Sequence, residues 1–237
     1  MSPTPASLQP REASLEPGDV IAIIDDDRAT RIRLARKVKR WGFESLPIEG
    51  SFETVPDLIE KVKSYNPRLV LCDNRLQDTG FASFFGAEAV SEFYKLGDPS
   101  ILITQYQADD ESFLRTWREN LPSVLDKDKL ELEVVKRAFE KSAAEVIFRQ
   151  QVPERRLFRT FVRVLEVGEN HVTFSIPDWN PDAQVRVPKD VLGQLKNSVT
   201  RGSFLIAKVN LGAKESADIF FKDFELAPEL NPEDGLG

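Results

Sequence analysis

The chain has little cysteine, little histidine and no long apolar run, and each shortage excludes a class of protein. A single cysteine, Cys72, excludes an internal disulfide framework, so a reducing cytoplasm is the simplest location. The single histidine, His171, has no visible Ser, Cys or Asp partner, so we expect it on a surface strand rather than in catalysis. No apolar stretch approaches the roughly 20 residues that cross a bilayer, and the N-terminus lacks a signal-peptide core. We therefore expect a cytoplasmic protein.

The chain also lacks an excess of positive charge. It has 32 Lys and Arg against 39 Asp and Glu, a net charge of -7. Binding to nucleic acid in general needs clustered Lys and Arg that displace counterions, so this class is not expected. The 237 residues, 41% of them hydrophobic, suit one large or two modest domains with packed cores.

Four short apolar runs in the first half of the chain each lead to residues of phosphoryl-transfer chemistry. Such runs are typical of strands buried on both faces of a parallel sheet, whose carboxyl ends share one edge. Three carboxylates, a hydroxyl and an ammonium should therefore meet there, which predicts a metal and phosphate site. The runs are Val20–Ile24 before Asp25, Asp26 and Asp27; 69–72 before Asp73; 101–103 before Thr104; and 124–125 before Asp126 and Lys127.

Each residue type suits that chemistry. Clustered carboxylates repel one another until a hard divalent cation such as Mg²⁺ neutralises them. Asp73 can then act as a nucleophile that takes a phosphoryl group as an acyl phosphate. The Lys127 ammonium and the Thr104 hydroxyl would meet the charge on the transferred oxygens.

Residues 18 to about 145 resemble the receiver domain of two-component response regulators. The stretches that match are IAIIDDD, LVLCDNRL, ILIT and VLDK. The resemblance implies a flavodoxin-like, doubly wound α/β fold with a five-stranded parallel sheet. It also implies a phosphoacceptor that only loses its own phosphate and is not otherwise an enzyme, with a histidine kinase or phosphotransfer protein as donor. The implied reacting residues are Asp73, Thr104 and Lys127, and the implied Mg²⁺ positions are Asp25, Asp26, Asp73 and Arg75.

Several positions depart from the family pattern. Gln77 stands where Pro usually follows the phosphoacceptor, and a long loop, QDTGFASFF, precedes Gly86. This insertion borders the site, so we expect it to alter access for a kinase or phosphatase. Gln105 replaces a small residue, Val124 replaces an aromatic switch residue, and Asp128 replaces Pro. The usual switch from Thr to an aromatic residue, and a cis peptide bond at Asp128, are therefore not expected.

Hydrophobic spacing predicts the other elements of this domain. We expect a disordered leader over 1–17, because it is rich in Pro, Ser and Glu. A second strand is expected over 43–48. The last helix, capped by Asp128 or a neighbour, should continue to about Arg149. Further helices are expected at 30–41, 57–65, 87–96 and 109–120.

After Pro153 the period changes to alternation, as in Val172, Phe174 and Ile176. A hairpin turn is expected at 168–170. The pattern predicts a small antiparallel barrel of SH3-like or OB-like kind over 151–228, following a receiver domain over 18–150 and leaving a tail over 229–237. The strand candidates are 158–165, 171–176, 184–187, 204–211 and 219–226.

This second domain predicts a protein partner more than a nucleic acid. Residues 151–237 carry 11 Lys and Arg against 13 Asp and Glu, and no basic recognition helix is visible. Trp179 lies either in an exposed contact, with Asn180 and Pro181, or over the end of the barrel. A nucleic-acid contact through four arginines remains the alternative; these are Arg155, Arg156, Arg159 and Arg163.

Two functions remain open. In the first, phosphorylation of Asp73 changes the surface around residues 105–120 and so exposes the second domain to a protein target. In the second, the chain buffers or relays phosphate in a bacterial stress or defence phosphorelay. Homodimerisation is also open. A DNA-binding regulator is less favoured, as is a haloacid-dehalogenase-type phosphatase, because Asp25-x-Asp27 is followed by Ala29 and the second acidic pair is missing.

Overall fold

The computed structural model describes residues 14–105 and 113–228. The chain divides into two compact units, one formed by 1–109 and 120–152, the other by 110–119 and 153–237. Residues 1–13 of the leader expected over 1–17, the tail over 229–237 and the first part of the helix expected at 109–120 lie outside the described residues. Within the described residues, no helix combines the length and the apolar character that a membrane span requires.

The first unit contains a five-stranded parallel sheet in the order β2-β1-β3-β4-β5. This confirms the predicted parallel sheet of a flavodoxin-like fold. Every residue of β3 and β4 is buried, which explains why both strands are apolar apart from their end residues. The strands are β1 Val20–Ile24, β2 Glu44–Pro47, β3 Leu69–Asp73, β4 Ser100–Thr104 and β5 Val124–Asp126; the helices are α1 Arg28–Arg40, α2 Val55–Lys63, α3 Gly86–Leu96 and α4 Leu132–Val146.

Local signals explain where these helices begin and end. The Asp27 side chain caps α1 by accepting a hydrogen bond from the amide of Thr30, and Thr54 caps α2 in the same way. Gly97 ends α3 in the left-handed conformation at φ 86°, which favours glycine. The core between α1, α4 and the sheet also includes Leu15, which belongs to the expected leader and is only 5% exposed.

The last helix is shorter at both ends than expected. Asp128 does not cap it: a 3₁₀ helix spans Lys127–Lys129, Leu130 is extended, and α4 follows with Glu131 at its N-cap. The helix ends at Val146, and Arg149 has a left-handed φ of 55°, which is incompatible with a continuing helix. The predicted continuous helix from Asp128 to about Arg149 is therefore wrong at its ends.

The second unit contains a five-stranded antiparallel sheet in the order β10-β9-β6-β7-β8. One face of all five strands contributes to a single core that includes Val162, Phe174, Val185, Leu205 and Phe221. Because β8 and β10 are the outermost strands in this order, closure into a barrel stays a prediction. The strands are β6 Phe158–Val167, β7 His171–Ile176, β8 Asn180–Pro188, β9 Phe204–Val209 and β10 Phe221–Leu226.

The second unit also includes a segment from the first half of the sequence. Residues 113–119 group with it and end in a 3₁₀ helix at Arg118–Asn120. Arg115 is only 4% exposed and donates hydrogen bonds to the carbonyls of Ser216 and Ile219, both at 2.8 Å. Arg118 forms an ion pair with Asp218. The described part of the helix expected at 109–120 is thus only a short helical stretch, and it packs within the β-rich unit.

Candidate functional site

Three acidic side chains meet at the carboxyl edge of the parallel sheet. Strand β1 pairs with β3 so that Ile24 lies opposite Cys72, and the residues directly after this pair, Asp25 and Asp73, become neighbours. One carboxylate oxygen from each of Asp25, Asp26 and Asp73 lies within 4.8 Å of the other two. This spacing and the all-oxygen donor set fit a hard cation such as Mg²⁺.

Lys127 supplies the positive charge among these carboxylates. Its ammonium lies 2.7 Å from Oδ2 of Asp25 and 2.8 Å from Oδ1 of Asp73. The lysine side chain is only 8% exposed. Burial disfavours its charge, but the two carboxylates outweigh that effect and raise the pKa of Lys127, so the ammonium is retained.

Burial also changes the acidity of the carboxylates. The pKa of Asp73 is raised to about 6, mainly because burial disfavours the anion and partly because Asp25 lies nearby; Lys127 opposes this rise. Burial likewise raises the pKa of Asp25, against the effect of Lys127. A bound cation would offset the repulsion among the three carboxylates, as expected from their clustering in the sequence.

Backbone and guanidinium groups hold the acidic residues in place. The Arg75 amide donates to Oδ2 of Asp73 at 3.0 Å, and the Asp27 amide donates to Oδ1 of Asp25 at 3.0 Å. The side chain of Arg31 donates to the carbonyls of Asp25 and Asp26. Because the Arg75 side chain is itself a cation, only its carbonyl oxygen suits the metal role that was implied for this position.

Thr104 lies at the same edge on the neighbouring strand. It is the last residue of β4, is 1% exposed, and directly follows Ile103, which pairs with Asp73. The next residue, Gln105, points elsewhere and donates to Asp128 at 3.1 Å. The structure therefore brings Thr104, Lys127 and the acidic residues to one edge, while the roles of the individual residues stay predictions.

Two residues that contact the site were not among the predicted ones. Arg31 carries no motif signal beyond its position one turn after the acidic triplet. Thr79 lies in the insertion before Gly86, and its amide donates to Oδ2 of Asp26 at 3.0 Å. The unusual length of that loop is the only sign in the sequence that it reaches the site.

The other residues singled out from the sequence are packed or hydrogen-bonded within the fold. His171 is half-buried, with Nδ1 3.0 Å from a guanidinium nitrogen of Arg186. Cys72 is fully buried, and burial raises the pKa of its thiol. Trp179 packs against the core of the second unit and donates from Nε1 to the carbonyl of Ala213 at 2.7 Å. This fits the alternative in which Trp179 packs against the domain and does not form an exposed contact. Arg155 is 4% exposed and stacks on the ring of Phe220, so the four arginines do not form one exposed stripe.

Comparison with known proteins finds similarity at the level of structure only. No protein-family model and no curated protein matches the chain. The solved structures that match include receiver domains of response regulators, which cover about half of the chain and leave the C-terminal region unmatched.

Three of these structures illustrate the similarity. The receiver domain of a modulated diguanylate cyclase from Desulfovibrio desulfuricans is 17% identical, with a TM-score of 0.44, covering 56% of this chain and 99% of its own. A response regulator from Thermotoga maritima, in complex with Mg(2+)-BeF, is 22% identical, with a TM-score of 0.41, covering 52% and 98%. A response regulator receiver domain from Clostridium thermocellum is 16% identical, with a TM-score of 0.42, covering 56% and 99%.

Proposed function

We propose that the chain is a response regulator whose Asp73 accepts a phosphoryl group from a phosphohistidine donor. The observation that carries the proposal is the position of Lys127, whose ammonium contacts both Asp25 and Asp73 inside an acidic cluster. A lysine buried between two carboxylates next to a third is costly to desolvate, and such arrangements are common at functional sites. The arrangement suits a site that exchanges a phosphoryl group and a cation.

The reaction follows from these groups. A carboxylate oxygen of Asp73 attacks phosphorus, the new O–P bond forms as the N–P bond of the donor breaks, and the donor imidazole leaves with the electron pair. Bound Mg²⁺ would supply positive charge to the phosphoryl oxygens, with Asp25, Asp26, Asp73 and the carbonyl of Arg75 as its holders. Lys127 then keeps its ammonium beside the acyl phosphate, and the Thr104 hydroxyl donates to a phosphoryl oxygen.

Phosphorylation with a small donor tests this proposal. The full chain is incubated with acetyl phosphate, with and without Mg²⁺, and intact mass and the alkali lability of the adduct are measured. We expect one Mg²⁺-dependent acyl phosphate that is lost in Asp73→Asn. Asp98→Asn serves as the control and should label normally, because Asp98 is a half-buried acid that pairs with Lys63. Labelling that persists unchanged in Asp73→Asn would refute the assignment.

The connection after β4 supports a route from this site to the second unit. Thr104 ends β4 at the site, and the chain then enters the second unit, where Arg115 and Arg118 bind the segment around 216–219. It returns to the first unit at Asn120. We propose that phosphorylation of Asp73 acts on the second unit through this stretch of chain.

For the output we propose a protein partner that binds the outer face of β6 and β9. Phe161 and Phe204 are 54% and 52% exposed. Phe161 pairs with Ile206 and Arg163 pairs with Phe204, so the two rings are diagonal neighbours on the side opposite the core. Large, exposed aromatic side chains in a small cluster are the usual centre of a protein interface.

The charges around this patch favour protein over nucleic acid. Arg159 pairs with Glu225 at 2.8 Å and Lys208 pairs with Asp223 at 2.6 Å, so these cations are already neutralised. Arg163 lies over the Phe204 ring at 5.8 Å, and no ion pair joins it to a carboxylate within 113–228. We therefore expect a partner segment that offers an apolar side chain to the rings and a carboxylate to Arg163.

A random peptide library selected on the full chain tests this surface. The protein is treated with beryllofluoride and Mg²⁺, and the enriched peptides are measured for binding by fluorescence anisotropy. We expect peptides that combine apolar and acidic residues, and at least tenfold weaker binding to Phe161→Ser/Phe204→Ser. Phe158→Ser is the matched control, because Phe158 is 50% exposed but pairs with the core residue Val209. Selective, salt-dependent binding of an oligonucleotide at this face would overturn the choice of a protein partner.

A further inference from the structure

The insertion between β3 and α3 reaches the acidic cluster through one residue. We call residues 77–83 the site loop. The Thr79 amide donates to Oδ2 of Asp26 at 3.0 Å, and the Thr79 hydroxyl donates to the carbonyl of Asp26 at 3.1 Å. One residue of the loop thus holds both the carboxylate and the backbone of Asp26.

The site loop is itself fixed to the body of the first unit. The Phe52 amide donates to the carbonyl of Phe81 at 2.8 Å, and the Ser51 hydroxyl donates to the carbonyl of Gly80 at 3.2 Å. Phe81 is only 5% exposed, and its ring packs against that of Phe52 with centroids 5.3 Å apart. A loop anchored in this way keeps Thr79 in place, and Thr79 in turn can hold Asp26 in a defined position.

Arg31 also joins the loop to the acidic residues. Its guanidinium lies 5.5 Å from the centre of the Phe81 ring and also donates to the carbonyls of Asp25 and Asp26. Asp26 therefore has two supports: Arg31 donates to its carbonyl, and Thr79 donates to both its carbonyl and its carboxylate. Asp25 and Asp73 have Lys127 as their support, and Asp26 has no such ion pair within the described ranges.

We propose that Thr79 is a positioning residue for Asp26 as a metal ligand, an inference that rests on the proposed function. Asp26 is only partly buried, so its side chain would otherwise sample several rotamers. The Thr79 amide holds Oδ2, which leaves the second oxygen, Oδ1, to a cation. Partners that orient a metal ligand in this way typically change metal affinity by about 10- to 100-fold. The contact also couples cation binding to the order of the site loop, and such coupling is reciprocal.

Mg²⁺ titration by calorimetry on the full chain tests the proposal. Thr79→Ser keeps the amide and the hydroxyl and should bind Mg²⁺ like the unaltered protein. Thr79→Val lacks the hydroxyl and should bind about three- to tenfold more weakly, and Thr79→Pro, which also lacks the amide hydrogen, about tenfold or more. Hydrogen exchange should show that Mg²⁺ slows exchange in the site loop of the unaltered protein and much less in Thr79→Val.

Ser51→Ala is the matched control, because it removes an anchor of the same loop without touching Asp26. Its Mg²⁺ affinity should stay within twofold of the unaltered protein. Equal affinity in Thr79→Val, Thr79→Pro and the unaltered protein would overturn the inference, as would tighter binding, which would mean that Thr79 competes with the cation. An equal loss of Mg²⁺ affinity in Ser51→Ala would also overturn the inference, because the effect would then come from the order of the whole site loop and not from Thr79. Failure of the unaltered protein to bind Mg²⁺ would instead overturn the proposed metal site and this inference together.

Discussion

The ammonium of Lys127 lies 2.8 Å from Oδ1 of Asp73, and both side chains are 8% exposed. The same ammonium also contacts Asp25. Two buried acids thus share one cation; burial raises the pKa of both carboxyls, Lys127 opposes this rise, and a neighbouring carboxylate adds a smaller increase. The stability of the first unit should therefore depend on Lys127, on pH and on a bound cation.

Lys127→Met should destabilise the metal-free protein. The substitution keeps much of the side-chain volume but leaves Asp25 and Asp73 without their cation, at a cost of about 3 kcal/mol at pH 7. The loss should shrink with saturating Mg²⁺ and in acid, where the carboxyls are protonated. Urea unfolding measures it. Lys129→Met is the control, since Lys129 is 84% exposed and pairs with Asp126 at the surface, and it should change stability by less than about 0.5 kcal/mol. An equal effect of both variants would contradict the importance of the buried pair.

Stability of the metal-free protein should fall as pH rises through the range of Asp73. The pKa of this carboxyl is 3.8 in a model peptide and about 6 in the folded protein, mainly because of burial. The folded state then binds the proton more tightly than the unfolded state. The resulting stabilisation is fully present below about pH 3.8 and is lost as pH rises to about 6, a difference of about 3 kcal/mol.

Asp73→Asn tests this dependence, because an amide does not titrate. Its unfolding free energy should change less between about pH 4 and about pH 6, and above that range the variant should be more stable than the unaltered protein without Mg²⁺. Urea unfolding across the pH range, with Asp98→Asn as the control, measures the difference. If the unfolding free energy of Asp73→Asn fell with the same slope, the pH dependence would come from groups other than Asp73.

The sequence was informative where function depends on the ends of strands. Asp25 and Asp73 follow apolar runs, and parallel pairing alone brings such positions together, so both could be predicted without coordinates. Thr79 could not, because its contact with Asp26 depends on the path of a loop with no periodic pattern. The shortened last helix is a similar case, since hydrophobic spacing continues through Val146 and beyond while the backbone turns at Arg149.

The position of residues 113–119 in the second unit could not be predicted from the sequence either. Their sequence suits a helix of the first unit, but the contacts of Arg115 and Arg118 with residues about 100 positions later place them in the second. Long-range hydrogen bonds to backbone carbonyls leave no local signal in the sequence. The outer-face rings of Phe161 and Phe204 were hidden for a related reason, because alternation identifies two faces of a strand but not which face the core covers when both carry apolar residues.

Gly86→Ala should disturb Asp73 although it lies far from it in sequence. A Cβ atom at Gly86 would overlap the carbonyl oxygen of Asp73, so either α3 or the end of β3 must shift. We expect a loss of about 3 kcal/mol in stability and slower phosphorylation by acetyl phosphate. Gly42→Ala is the control; it places a Cβ in open space at φ 90°, so it should cost only about 1 kcal/mol from backbone strain. Normal phosphorylation of Gly86→Ala would show that the chain relaxes without moving Asp73.

Arg115→Ala should destabilise the second unit, even though Arg115 comes from the first half of the sequence. The side chain is 4% exposed and donates to two carbonyls shortly before β10, at Ser216 and Ile219. Its removal leaves both carbonyls without these donors and creates a cavity, for an expected loss of about 3 kcal/mol. Hydrogen exchange should quicken in β9 and β10, while the parallel sheet keeps its protection.

Arg156→Ala provides the comparison, since Arg156 is exposed and its substitution should change stability by less than about 0.5 kcal/mol.

The Arg115→Ala variant also tests whether the stretch of chain after Thr104 carries the signal from Asp73 to the second unit. If the stretch after Thr104 transmits phosphorylation, Arg115→Ala should still accept phosphate on Asp73 but should lose the difference in β9 and β10 exchange between the phosphorylated and unphosphorylated forms. A preserved difference in Arg115→Ala would place the route elsewhere in the chain.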